Sequence, residues 1–107
     1  MIIKTMRLIS RRSLRAFWEK HSTARNSLLL WYERITKSDL ENFAQLRLLF
    51  PSADLVGNFT VFNISGNNYP LITYIDYEAK IIFIRAILTH ADYDKENWKN
   101  DNWFNNP

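Results

Sequence analysis

The chain has 107 residues, 47% of them hydrophobic, with four Trp, five Tyr and seven Phe against two Gly and three Pro; such a composition builds one packed domain and excludes a disordered or low-complexity chain. The absence of Cys excludes a disulfide framework and a thiolate site and agrees with a reducing, cytoplasmic setting, while apolar runs such as Leu28–Tyr32 fall far short of the ~20 residues that cross a bilayer. The net charge of +3 is unevenly spread, with nine Lys/Arg and two Glu in residues 1–37 against five Lys/Arg and nine Asp/Glu in 38–107, so one face suits a polyanion such as nucleic acid, unless these are simply Arg-rich solvated helices.

Met1-Ile2-Ile3-Lys4 lacks the long apolar core of a secretion signal. Met6–Ile9 alternates as a short edge strand does, and Met6 is an alternative start with Met1–Thr5 as an upstream extension. Ser10 is a good N-cap for a helix in which Leu14, Phe17, Trp18 and His21 recur at helical spacing, with His21 ending it. Its opposite side carries Arg11, Arg12 and Arg15, a compact basic patch in which Arg11 and Arg15 share a face at i, i+4. Thr23 is placed to cap a second helix with the stripe Leu28, Trp31, Tyr32 and Ile35. Ser38-Asp39-Leu40-Glu41 has the form of a capping box opening a third, shorter helix, with Phe43, Leu46 and Phe50 inward and Pro51 as the stop. The spacing of these aromatics is what burial against a sheet requires, rather than a platform for stacked bases.

After Pro51–Asp54 the period changes to two. Phe59–Ile64, Tyr69–Ile75 and Lys80–Leu88 read as three strands joined by Ser65-Gly66-Asn67-Asn68 and Asp76-Tyr77-Glu78-Ala79, the first of which is turn chemistry because Gly and Asn tolerate positive φ. The last run is nearly all apolar, which predicts a central strand covered on both faces. Its exception is Arg85, which must be salt-bridged or point into a site. The expected fold is therefore α+β, with N-terminal helices packed on a small antiparallel β-meander and a short C-terminal helix. Residues 1–96 form the domain, and the Asn- and Trp-rich Asn97–Pro107 is a partly ordered tail.

Thr89-His90-Ala91-Asp92 matches a capping pattern, so a helix begins there with His90 in its first turn and Tyr93 three residues on. A helix N-terminus seats anions and favours the neutral imidazole that a general base needs. With Arg85 nearby, a His, a Tyr and an Arg suffice to cleave RNA, which carries its own nucleophile: a base takes the 2′-OH proton, a cation stabilises the pentacoordinate transition state, and an acid protonates the leaving 5′-oxygen. That chemistry needs neither metal nor cofactor. The plainer reading is an ordinary helix start with a nearby His.

Four separated segments, MRLISRRSLRAFWEKH (6–21), FPSADLVGN (50–58), VFNISGNNY (61–69) and FIRAILTHADYDK (83–95), resemble the HigB-type toxins of bacterial type II toxin–antitoxin systems, within the RelE/ParE-like superfamily. The resemblance implies a RelE-like fold, mRNA endonuclease activity on translating ribosomes, and neutralisation by a HigA-type antitoxin with a helix-turn-helix domain. It carries the T-H-x-x-Y-D segment of that family onto His90, Tyr93 and Lys95 and the Arg of F-I-R onto Arg85 as catalytic residues. It also makes Arg7, Arg11, Arg12, Arg15, Asn67 and Tyr69 the candidate surface for RNA and the ribosome. One position departs from the pattern: where the family reads G-N-x-Y-R, this chain reads Gly66-Asn67-Asn68-Tyr69-Pro70, and the Arg aimed at the scissile phosphate is missing. Two readings follow. One is an mRNA interferase with His90 as base, Tyr93 as acid or orienting group, and Arg85 and Lys95 on phosphate. The other is a catalytically weak module that keeps the toxin fold and binds RNA or an antitoxin without cutting.

Overall fold

The structure, a computed structural model, describes residues 5–66 and 68–105. Met1–Lys4 lie outside the described residues, as does Asn67, whereas Met6, the alternative start, is described and buried. The element order is β1 (Arg7–Ile9), α1 (Arg11–Lys20), α2 (Arg25–Thr36), α3 (Phe43–Leu49), β2 (Asp54–Val56), β3 (Phe59–Ile64), β4 (Tyr69–Asp76), β5 (Ile81–Ile87) and α4 (His90–Asp94). The five strands form one sheet in the order β1-β5-β4-β3-β2. The meander β2–β5 is antiparallel, and β1 adds to β5 in parallel, so the sheet is mixed rather than purely antiparallel. The fold is α+β, as expected.

Local chemistry explains the helix limits, with two departures from expectation. Thr23 does not cap α2; Ser22–Ala24 forms a 3₁₀ turn instead, and the Thr23 hydroxyl bonds to Tyr69 Oη at 2.7 Å. The Ser38 capping box does not form, because Ser38 Oγ donates back to the Ile35 carbonyl at 2.6 Å. Asn42 caps α3 instead, its Oδ1 accepting from the Gln45 N–H at 2.9 Å, as an N-cap side chain does for an orphan donor in the first turn. Pro51 follows the C-cap Phe50 and ends the helix.

The sheet buries both faces by different means. On one face the three larger helices supply Leu14, Leu28, Trp31, Ile35 and Leu46 against Phe62, Ile64, Leu71, Ile75 and Ile82. On the other, Phe59, Val61 and Ile72 are covered by Trp98, Trp103 and Phe104 from the C-terminal segment, with Tyr93 beside them. Asn97–Pro107, expected as a partly ordered tail, is through residue 105 a packed layer: Asn97–Asn100 is a 3₁₀ turn and Trp98 is buried. Asn58 N–H donates to the Phe104 carbonyl at 3.0 Å. The Phe104 ring lies where a Cβ on Gly57 would stand, 2.7 Å from its Cε1, and Gly57 has φ +60°, a region an L side chain enters only with strain. Four Trp and seven Phe in so short a chain are what two apolar layers on one sheet require.

The central, doubly covered strand is β4 rather than the Lys80–Leu88 run. Strand β4 lies between β3 and β5 and is almost wholly buried, whereas β5 is mostly half-buried. The physical reason is that β1 spans only Ile81–Phe83 of β5, leaving the rest of that strand's outer edge without a neighbour in the sheet.

Candidate active site

The candidate site begins where β5 runs out. Leu88 N–H donates to the Pro70 carbonyl at 3.0 Å, tying the strand end to β4, and Thr89 then caps α4 by accepting from the Asp92 N–H at 3.3 Å. This is the cap the sequence predicts. His90 is exposed and opens α4, and Tyr93 follows one turn on, with ring centroids 6.2 Å apart and nearly perpendicular. The helix has five residues, little more than one turn, so the expected phosphate seat at its N-terminus loses most of its dipole support. What α4 supplies is position: two polar rings held side by side at the sheet's end.

Tyr93 is the better-fixed of the two. Its ring lies flat against Trp98, with centroids 5.1 Å apart and planes 11° off parallel, and its carbonyl accepts from the Trp98 indole N–H at 3.0 Å. Burial pushes the Tyr93 hydroxyl above the ordinary phenol range; Lys99 opposes this, and Asp54, Glu96 and Asp94 add to it. At neutral pH Tyr93 is therefore a proton donor and not a base. Lys95 sits at the C-cap of α4 and is exposed, with its Nζ 3.5 Å from Asp92 Oδ1, a surface pair that costs little to break.

Arg85 answers the sequence question with an ion pair. The register of β4 on β5 shifts between Ile72↔Ala86 and Thr73↔Ile84, which leaves Arg85 unpaired in a β-bulge. Bulges redirect side chains, and here the guanidinium turns to the face of the C-terminal segment. Its Nε and Nη2 each donate to Asp101 at 2.8 Å, and the guanidinium carbon lies 4.0 Å from the Trp103 ring centroid. Asp101 Oδ1 also accepts from the Trp103 backbone N–H at 2.8 Å. The Arg85 guanidinium beside it holds the Asp101 carboxyl below the usual carboxylate range, against the opposing effect of burial.

Pro70 is buried in β4 opposite Asn63. A residue's N–H and C=O point the same way along a sheet, and the Pro70 carbonyl faces Leu88, beyond the end of β5. The missing donor therefore falls where the ladder is already ending, and β4 accepts a proline that an interior strand usually refuses. Tyr69, expected at the RNA surface, turns to the helix face: besides its bond to Thr23 it packs edge-on to Phe17 at 5.3 Å and lies 5.7 Å from the His21 ring. His21 is the C-cap of α1 and stacks on Phe17 at 4.5 Å, as a residue that ends a helix and packs.

The basic patch is real and larger than expected. Arg11, Arg12, Arg15, Trp18, Arg25 and Leu29 line a cleft of about 480 Å³ between α1 and α2, while Arg7 stands exposed on β1. Arg11 lies over the Tyr32 ring and Arg25 over Trp18; among the described residues of this cleft only Arg15 has a carboxylate within reach, Glu19 at 3.7 Å. The structure brings His90 and Tyr93 together on α4, leaves Lys95 at the C-cap beside Asp92, and puts the arginines of α1 on the helix layer. Sequence reasoning missed Arg25 as a member of the cleft, and Asp101 and Trp103 as the ligands of Arg85. The signal available for Asp101 was the buried-charge rule applied to Arg85, which demanded a carboxylate without saying which one.

Comparison with known proteins gives a consistent picture. Residues 24–96 match the HigB toxin family, described as the RelE-like toxic component of a toxin–antitoxin system. Among curated relatives, the mRNA interferase toxin HigB of Escherichia coli (strain K12) is 28% identical over 92 residues, covering 83% of this chain and 88% of that protein. The mRNA interferase HigB of Shigella flexneri matches to the same extent. The mRNA interferase HigB of Escherichia coli O6:H1 is 29% identical over 93 residues, covering 84% and 90%.

Proposed function

The chain belongs to the HigB toxin family, RelE-like toxic components of toxin–antitoxin systems, and from that premise we propose that it is an mRNA endonuclease acting on translating ribosomes through attack of the RNA 2′-OH. Its relatives' names, mRNA interferase HigB, support the substrate. The observation that carries the reading is the pairing of exposed His90 with Tyr93 at the end of the sheet. His90 takes the 2′-OH proton, and Tyr93, kept protonated by burial, donates to the departing 5′-oxygen or orients the phosphate. Lys95, from the same short helix, supplies positive charge once RNA competes with Asp92 for it. Arg7 and the arginines of the α1–α2 cleft bind RNA of the substrate or the ribosome by counterion release. A HigA-type antitoxin with a helix-turn-helix domain is the partner that silences it.

The test is the chemistry of the product ends. Attack by the 2′-OH leaves a 2′,3′-cyclic phosphate and a 5′-hydroxyl on mRNA cut in a translating extract. A 3′-hydroxyl end on the upstream fragment overturns this mechanism.

A second reading has its own support. Pro70 carries no charge where the family pattern has Arg, and Arg85 is held by Asp101. Two cations expected at the phosphate are thus missing or engaged, as a toxin-fold module that binds RNA or its antitoxin without cutting would have them. RNA binding without cleavage by the unsubstituted protein selects this reading.

A further inference from the structure

The Arg85–Asp101 contact has the form of an occupied anion site. Three donors converge on one carboxylate: Arg85 Nε reaches Oδ2 at 2.8 Å, Arg85 Nη2 reaches Oδ1 at 2.8 Å, and the Trp103 backbone N–H reaches Oδ1 at 2.8 Å. The guanidinium lies on the Trp103 indole, 4.0 Å from the ring centroid, and the two side chains are only 28% and 18% exposed. A planar fork fixed on an aromatic face holds either a carboxylate or a phosphate by two parallel hydrogen bonds. The fork stands on a bulge of β5 within the family-matched stretch, whereas its carboxylate comes from beyond residue 96, where that match ends. Both face the side of the sheet on which Tyr93 packs.

We propose that the Arg85 fork is a phosphodiester-binding site beside the His90–Tyr93 edge, and that Asp101 occupies it in the free protein as an intramolecular stand-in which RNA must displace. The carboxylate competes at the high effective concentration of a group on the same chain, so it weakens RNA binding without altering the residues that cut. The depressed Asp101 pKa keeps this stand-in charged throughout the neutral range. The inference rests on the proposed RNA substrate for its ligand, and on the fork alone for its chemistry.

The test uses His90→Ala protein, so that RNA is not consumed, and a short single-stranded RNA oligonucleotide as probe. Freeing one guanidinium for one phosphate adds about 0.7 to the slope of log K against log salt. Asp101→Asn and Asp101→Ala in that background are expected to steepen the slope by that amount and to tighten binding about tenfold at low salt, and Arg85→Ala added to either is expected to abolish the gain. Coincident slopes with and without Asp101 overturn the proposal and leave the pair as a structural tie for the C-terminal segment. A second measurement needs no change at Asp101: on titrating the oligonucleotide into ¹⁵N-labelled His90→Ala protein, the Arg85 Nε–H and Trp103 amide resonances are expected to shift together as the carboxylate leaves. Resonances that stay fixed while RNA binds elsewhere overturn the seat but not the RNA reading; failure to bind RNA at all overturns both.

Discussion

Tyr93 and Trp98 lie face to face, 5.1 Å between ring centroids and 11° from parallel, and the Trp98 indole N–H donates to the Tyr93 carbonyl. The candidate acid is thus positioned by a residue of the C-terminal segment. Trp98→Ala is expected to cost about 3–5 kcal/mol, as large aromatic truncations in a core do, and to lower RNA cleavage further than the folded fraction accounts for, because the Tyr93 ring loses its pad. Chemical denaturation combined with cleavage assayed well below the melting point separates the two effects. Cleavage that simply tracks the folded fraction would remove Trp98 from any role in the site.

Gly57 reports on the same segment from the other side. Its φ of +60° and the Phe104 ring in the place of a Cβ predict that Gly57→Ala destabilises by about 1–3 kcal/mol, from backbone strain and from overpacking together. Thermal melts measure it. The loss should shrink in Phe104→Ala, which clears the steric part and leaves only the backbone part.

Pro70 shares a sheet face with Ile72 by the alternation of β4, the face on which Tyr93 packs. Pro70→Arg is expected to raise RNA cleavage by roughly two to three orders of magnitude, in line with what a well-placed charge-stabilising donor contributes, and to sharpen growth inhibition on expression. A folded Pro70→Arg protein with no gain removes attenuation at this position as an explanation for any low activity.

Acid stability should carry the mark of Asp101. Its folded-state pKa lies below the ordinary value of 3.8, so the unfolded chain takes up the proton first as pH falls. The stabilisation is fully present above that ordinary value and is lost as pH falls through the folded pKa. Urea denaturation from pH 6 down to pH 2 is expected to show a steeper acid limb for the wild type than for Asp101→Asn. Parallel limbs would mean that the ion pair contributes nothing to folding.

Periodicity carried much of the fold, and local chemistry some of the rest. Phe59–Ile64 and Tyr69–Ile75 are strands as expected, though both are buried almost continuously because both sheet faces are covered, and the first ends where expected while the second runs one residue further, to Asp76; Thr89 caps α4 because its hydroxyl has one nearby donor to serve. The misreadings have physical causes. Ser38 satisfies a helix C-terminus instead of opening a new helix, a choice that hydroxyl chemistry leaves to tertiary context. The C-terminal tryptophans looked like a polar tail because Asn surrounds them, yet the sheet offered an uncovered apolar face that Trp98, Trp103 and Phe104 fill. Of the candidate site, His90 and Tyr93 were legible as neighbours at helical spacing. The bulge that turns Arg85 toward Asp101, 16 residues away, was not, because register shifts leave no local signature.

Cutting of mRNA during translation is proposed for the His90–Tyr93 edge. The most direct measurement is primer extension on a reporter mRNA in a translating extract, with the wild type compared with His90→Ala. Discrete wild-type cleavage sites are expected, falling by about 10²-fold or more in the variant, as loss of a general base does; cleavage by His90→Ala at an undiminished rate would rule out His90 as the base.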